Sequence, residues 1–213
     1  EDSLKRLQTD HVDLYYMHHI DRHVTWPEMW GVMEVLVDSG KATYIASSNF
    51  AGHDLVRAQW EADKRHFLGL VAEQHQYHLL SRLPELEVIP AARELGLGFV
   101  TYSPLAGGML GENALKRLSG SRGENRHYSE AMIKTLTDFA DFCRELGEKQ
   151  SNVAMAWILK NPVVTSPLIG PRTPEHLDNI LHALDVKLDD SAMKRLDEIF
   201  PGPGGEAPDS YAW

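Results

Sequence analysis

A single cysteine in 213 residues, Cys143, rules out an internal disulfide, and its setting in Phe139-Ala140-Asp141-Phe142-Cys143 reads as a buried helical thiol rather than a nucleophile. No apolar run approaches the ~18 residues that a membrane-spanning helix needs. Basic residues are scarce: 21 Lys and Arg stand against 31 Asp and Glu, a formal charge of -10. That balance disfavours a nucleic-acid surface but leaves room for a local phosphate site. The opening residues Glu1-Asp2-Ser3-Leu4-Lys5-Arg6 lack the basic-then-apolar layout of a secretory signal, so the expected compartment is cytoplasmic. What the chain does have is a composition suited to a packed core, with 43% apolar and 24% charged residues.

Short β-branched or aromatic runs alternate with amphipathic stretches. Strands are predicted at Val12–Met17, 42–46, 70–74, Gly98–Tyr102 and 163–169. The first long helix is bounded by Thr25 and Glu28 at capping-box spacing, carries Trp30, Met33 and Val37 on one face, and stops at Gly40. Further helices are predicted over 83–95, closed by Gly96, over 129–146, and over 151–160, closed by Asn161-Pro162; Trp60 is read as helix packing. The strand starts 12, 42, 70 and 98 are separated by 30, 28 and 28 residues, the length of a strand plus a returning helix. The interval from 98 to 163 is longer by about 37 residues, and the Gly- and Asn-rich part over 106–128 is read as a functional flap.

Repeated β/α units build either an open doubly wound sheet or a (β/α)8 TIM barrel. The first strand is followed by His18-His19-Ile20-Asp21 instead of a Gly-rich phosphate loop, which weighs against the doubly wound sheet. The chain also opens inside a helical pattern, Leu4, Leu7 and His11, with no strand before it. The expectation is a single incomplete barrel domain over 1–213, with three units, about 85 residues, ahead of Glu1.

In such folds the chemistry sits at the C-terminal ends of the strands. Those ends are polar here: His18-His19-Ile20-Asp21, Ser47-Ser48-Asn49-Phe50, Gln74-His75-Gln76-Tyr77-His78, Tyr102-Ser103-Pro104-Leu105 and Gly170-Pro171-Arg172-Thr173. Amides and hydroxyls can hold a carboxamide, an aromatic ring can stack on a heterocycle, and a guanidinium can fork a phosphate. Thr173 and Pro174 have the identities of an N-cap and first helical residue, so Arg172 precedes a helix start suited to an anion, though the same residues suit an ordinary capped helix. The histidines raise a metallohydrolase barrel as an alternative. Adjacent His18 and His19 point to opposite faces of a continuing strand, so a lone functional His18 directed inward is the simpler reading, with no metal.

These residues resemble the aldo-keto reductase family. Asp13-Leu14-Tyr15-Tyr16-Met17-His18 resembles the strand whose terminal His belongs to the family's catalytic tetrad, and residues 40–50, G-K-A-T-Y-I-A-S-S-N-F, resemble its G-K-x-x-x-I-G-x-S-N-F signature with Ala46 for Gly. The resemblance implies an NADP-dependent oxidoreductase that reversibly reduces an aldehyde or ketone, with His18 orienting the carbonyl oxygen. It implies that Ser48, Asn49 and Gln74 hold the nicotinamide carboxamide, that Tyr102 stacks on the ring, and that Ser103, Pro104 and Leu105 line the pyrophosphate. Gly170, Arg172, Thr173, His176 and Asn179 fall in the adenosine-phosphate region, although His176 and Ile180 depart from the Gln and Asn usual there. Trp26 and Trp213, the latter in a C-terminal loop, are assigned to the substrate pocket. The catalytic Asp, Tyr and Lys of the family belong to earlier strands and match no position here. The implied partners are NADP(H) and a small carbonyl substrate, with no nucleic acid or membrane, and an oligomer is possible. A nicotinamide-binding regulatory subunit like the potassium-channel β subunits would use the same residues.

Overall fold

The Thr25 hydroxyl accepts the Glu28 N–H at 3.4 Å, Pro27 lies in the first turn, and the helix leaves through Ser39 into Gly40, whose φ of 69° a side chain would resist. Such local signals set most of the element boundaries. A computed structural model describes residues 1–118 and 128–207. Among them run α1 (Asp2–Leu7), β1 (Val12–Met17), α2 (Trp26–Asp38), β2 (Ala42–Ser48), α3 (Gly52–Asp63), β3 (Leu70–Gln76), α4 (Val88–Glu94) and β4 (Gly98–Tyr102). There follow α5 (Ala114–Leu118), α6 (Glu130–Leu146), α7 (Gln150–Lys160), β5 (Val164–Pro167), α8 (Pro174–Leu181) and α9 (Asp190–Ile199).

Two expectations are corrected. The helix predicted over 83–95 is a 3₁₀ turn at Leu83–Glu85 followed by α4, broken at Glu87 with φ -146°. Pro90 explains the break: its ring would clash with the carbonyl four residues earlier, so a helix tolerates it only in the first turn. Trp60 is 58% exposed, with the Lys64 ammonium 3.4 Å from its ring centroid, so it is a surface cation–π pair rather than packing.

The chain divides into two compact units, Glu1–His75 with Pro84–Val100, and Gln76–Leu83 with Thr101–Trp213. In the first, β1 pairs parallel with β2 from Val12↔Ala42 to Met17↔Ser47, and β2 pairs parallel with β3 through Ile45↔Leu70, Ser47↔Glu73 and Ser48↔Gln74. Two residues on β2 span three on β3 there, a bulge at the site end of the strands. The core gathers Ile45, Ala46, Phe50, Leu55, Ala58 and Phe99 around Trp30, whose indole N–H donates to the Ala58 carbonyl at 3.0 Å. Leu14, Tyr15 and Tyr44 are exposed on β1 and β2. In the second unit Leu110, Leu136, Phe139, Val153, Ile158 and Leu196 are buried, and the Leu168 N–H donates to the Thr101 carbonyl at 2.7 Å, joining β5 to β4.

The strands lie in chain order, β1-β2-β3-β4-β5. A doubly wound sheet reverses its order at a switch point, and a barrel does not. The architecture is therefore α/β of the (β/α)8 type, with five strands among the described residues. Of the expected flap, residues 106–108 form a 3₁₀ turn and 114–118 form α5, while 119–127 lie outside the described residues.

Candidate functional site

In the first unit the ends of β1, β2 and β3 bring His18, Ser48, Asn49 and Gln74 together. Ser48, 2% exposed, and the half-buried Gln74 are register partners, so both side chains lie on one face of the sheet. Asn49 takes φ 60°, unusual for a residue with a side chain. Its N–H donates to the Gln74 carbonyl at 3.0 Å, and its Nδ2 donates to the Ser48 hydroxyl at 3.0 Å and to the His18 carbonyl at 3.1 Å. The Tyr16 phenol, whose pKa burial raises, hydrogen-bonds the Gln74 side chain.

His18 directly follows the strand and is exposed, its ring 4.4 Å from that of His19. The premise of a continuing strand fails: β1 ends at Met17, so alternation does not separate the two rings. Both histidines line a cavity of about 720 Å3 with Trp26, which meets buried Phe50 edge-on at 6.4 Å. Arg22 clamps Asp54 with two bonds of 2.8 and 2.7 Å, fastening the loop after His18 to the start of α3. Burial opposes the Asp54 charge most strongly, but the Arg22 hydrogen bonds, the nearby His53 and Arg22 charges and the Ala51 N–H together outweigh it and hold the carboxyl below the usual range. Among the described residues no group of three His, Cys, Asp or Glu is placed to hold a metal ion.

In the second unit Ser103, Pro104, Leu105, Gly170, Arg172, His176 and Asn179 line one cavity of about 530 Å3. Thr173 accepts the His176 N–H at 3.2 Å and caps α8, leaving the first turn beside Arg172. Ser103 has φ 54°, a backbone twist that turns the chain away from β4. Tyr102, half-buried, ends β4 and is not among the residues lining this cavity. Trp213 lies outside the described residues.

Sequence reasoning missed three residues. Lys149 and Glu112 line the second cavity, where Lys149 Nζ donates to Asn179 Oδ1 at 2.5 Å and Glu112 accepts the Ser151 hydroxyl at 2.6 Å. Burial disfavours the Glu112 charge, but the Ser151 bonds, its own backbone N–H and the Lys149 charge together outweigh it, so its pKa lies below the ordinary value. Glu73, fully buried, stands behind the Ser48 and Asn49 turn. An acid within an otherwise apolar strand, Leu70-Val71-Ala72-Glu73, was the available signal for it.

The model of the aldo/keto reductase family matches residues 1–200. The chain belongs to the aldo/keto reductase family. It is 58% identical over its whole length to a Bacillus subtilis (strain 168) protein named uncharacterized oxidoreductase YrpG, covering 66% of that protein. It is 31% identical to aldo-keto reductase AMT2 of Alternaria alternata, over 94% of this chain and 55% of the relative. With probable aldo-keto reductase 1 of Glycine max the identity is 30%, over 94% and 58%. The chain thus spans between 55% and 66% of the length of these curated relatives.

Aldo-keto reductases generally work with a nicotinamide dinucleotide. The donor sets fit such a group: a carboxamide offers one acceptor and two donors, which Ser48, Asn49 and Gln74 can complement, and a phosphate suits Arg172 beside the capped α8. Among the described residues no helix of this reductase-family chain is long and apolar enough to cross a membrane.

Proposed function

We propose that this chain is the cofactor-holding part of an NADPH-dependent enzyme that reversibly reduces an aldehyde or ketone to the alcohol. The observation that carries the reading is the pairing of Ser48 with Gln74 around a turn whose Asn49 side chain reaches back to the His18 carbonyl. It ties the carboxamide-facing group to the start of the loop carrying the proposed catalytic histidine.

The roles are those that the family resemblance implies, and the chemistry of each residue suits its role. Ser48, Asn49 and Gln74 orient the nicotinamide carboxamide, and Tyr102 stacks against the ring. Ser103, Pro104 and Leu105 contact the pyrophosphate. Gly170, Arg172, Thr173, His176 and Asn179 take the adenosine and its phosphate, with Arg172 favouring NADP over NAD. The bound cofactor supplies the hydride. His18 donates a hydrogen bond to the carbonyl oxygen and holds it for reduction, with Trp26 and Trp213 walling the substrate. The Asp, Tyr and Lys that deliver the proton in the family match no position of this chain. About a third of the Bacillus subtilis relative lies outside the match. A small carbonyl compound is the substrate partner, and the protein is cytoplasmic.

Steady-state oxidation of NADPH by the full-length protein with a panel of aliphatic and aromatic aldehydes tests the proposal. Turnover that falls at least a hundredfold in His18→Ala is expected. Tight NADPH binding with no turnover on any aldehyde would instead indicate a regulatory subunit that only senses the cofactor.

A further inference from the structure

Glu73 on β3 is 0% exposed, a carboxylate removed from water beside the proposed nicotinamide residues. Such a group is costly to bury unless every oxygen is paired, and here both are. Oε2 accepts the Ser47 hydroxyl at 2.5 Å, and Oε1 accepts the Phe50 N–H at 3.0 Å and lies 3.1 Å from His75 Nδ1. The bulge creates this arrangement. Counting residue for residue from Ile45↔Leu70 would set Ala72 opposite Ser47, and the extra residue sets Glu73 there instead.

The bonds straddle the turn that carries the proposed carboxamide ligands. Ser47 precedes Ser48, Phe50 follows Asn49, and Glu73 itself precedes Gln74. Three successive backbone N–H groups are consequently held from outside the turn: Asn49 by the Gln74 carbonyl at 3.0 Å, Phe50 by Glu73 Oε1 at 3.0 Å, and Ala51 by Asp54 Oδ2 at 3.4 Å. Asn49 at φ 60° sits in the left-handed region, which Asn tolerates better than most residues with a side chain, and the surrounding hydrogen bonds hold it there.

We propose that Glu73 is the positioning residue for the nicotinamide end of the site: its two oxygens hold Ser47 and the Phe50 N–H, fixing Asn49 and Ser48 against Gln74. The inference rests on the oxidoreductase reading above. Replacement by an apolar residue orphans the Phe50 N–H and the Ser47 hydroxyl and lets the turn relax. A glutamine preserves the contacts, since its carbonyl accepts from Phe50 and its amide donates to Ser47.

The test measures equilibrium binding to the full-length protein of NADPH and of adenosine 2′,5′-bisphosphate, which shares the phosphate end and lacks the nicotinamide. Glu73→Ala should weaken NADPH at least tenfold and leave the bisphosphate within twofold, and Glu73→Gln should bring NADPH back to within threefold of the parent. If Glu73→Ala does not fold, Ser47→Ala carries the same contrast, with NADPH about threefold weaker. Unchanged NADPH affinity in the alanine variant, or equal weakening of both ligands, overturns the positioning role while leaving the oxidoreductase reading in place. A parent protein that binds neither ligand overturns both.

Discussion

His78 is 3% exposed, with Nε2 3.1 Å from Gln76 Nε2 and no partner for Nδ1 among the described residues. Burial pushes its pKa down to about 4 from the ordinary 6.5, so the ring is neutral near pH 7. On acidification the unfolded chain takes up this proton first. The stability that depends on His78 is therefore complete above about pH 6.5 and is lost as the pH falls toward 4. Between pH 7.5 and 4.5 the loss from this one group is on the order of 2 to 3 kcal/mol. Urea unfolding at the two pH values should show it, and His78→Phe should shrink the difference by about that amount; an undiminished difference would assign the acid sensitivity to other groups. At the phosphate end, Arg172→Ala should weaken NADPH about tenfold and NADH less than twofold, read by titration of each cofactor. Equal weakening would refute a role at the 2′-phosphate. That Ser48, Asn49 and Gln74 meet at neighbouring strand ends was legible, because strand spacing places those ends side by side. Glu73 was not, because its place opposite Ser47 depends on a bulge that side-chain periodicity does not reveal.

At the scale of elements, the start of α3 is pressed against the break before α4. A Cβ on Gly52 would lie 2.8 Å from the Glu87 carbonyl oxygen and 3.0 Å from its carbon, both backbone atoms that cannot swing aside. Gly52→Ala should therefore destabilise by about 2 kcal/mol through overpacking, measured as a lower urea midpoint. An unchanged midpoint would mean that the two helix starts can move apart freely. The same region shows where sequence patterns lose their grip. Apolar spacing over 83–95 is continuous enough for one helix, yet Pro90 limits α4 to a start at Val88, a steric veto that periodicity ignores. Capping signals fared better: Thr25 and Thr173 each accept a first-turn N–H as their identity predicts. In α6 the buried thiol of Cys143, pushed up to about 12 mainly by burial, fits the expectation of an inert helical cysteine.

At the scale of the whole molecule, the spacing of strand starts carried the architecture. Intervals of 30, 28 and 28 residues leave no room for anything but β/α units, and the chain-order sheet then separates the barrel type from the doubly wound one. The division into two compact units had no signature in composition, because the segment at 76–83 that joins the second unit reads as part of a strand end. Membership in the aldo/keto reductase family follows from the match over residues 1–200, and the functional account turns on whether the polar strand ends hold a nicotinamide cofactor. The most direct measurement is a fluorescence titration of NADPH against the full-length protein and its Ser48→Ala/Asn49→Ala variant. The account predicts saturable one-site binding to the parent and at least tenfold weaker binding to the variant. Absence of saturable binding to the parent, or equal affinity in the two proteins, would contradict it.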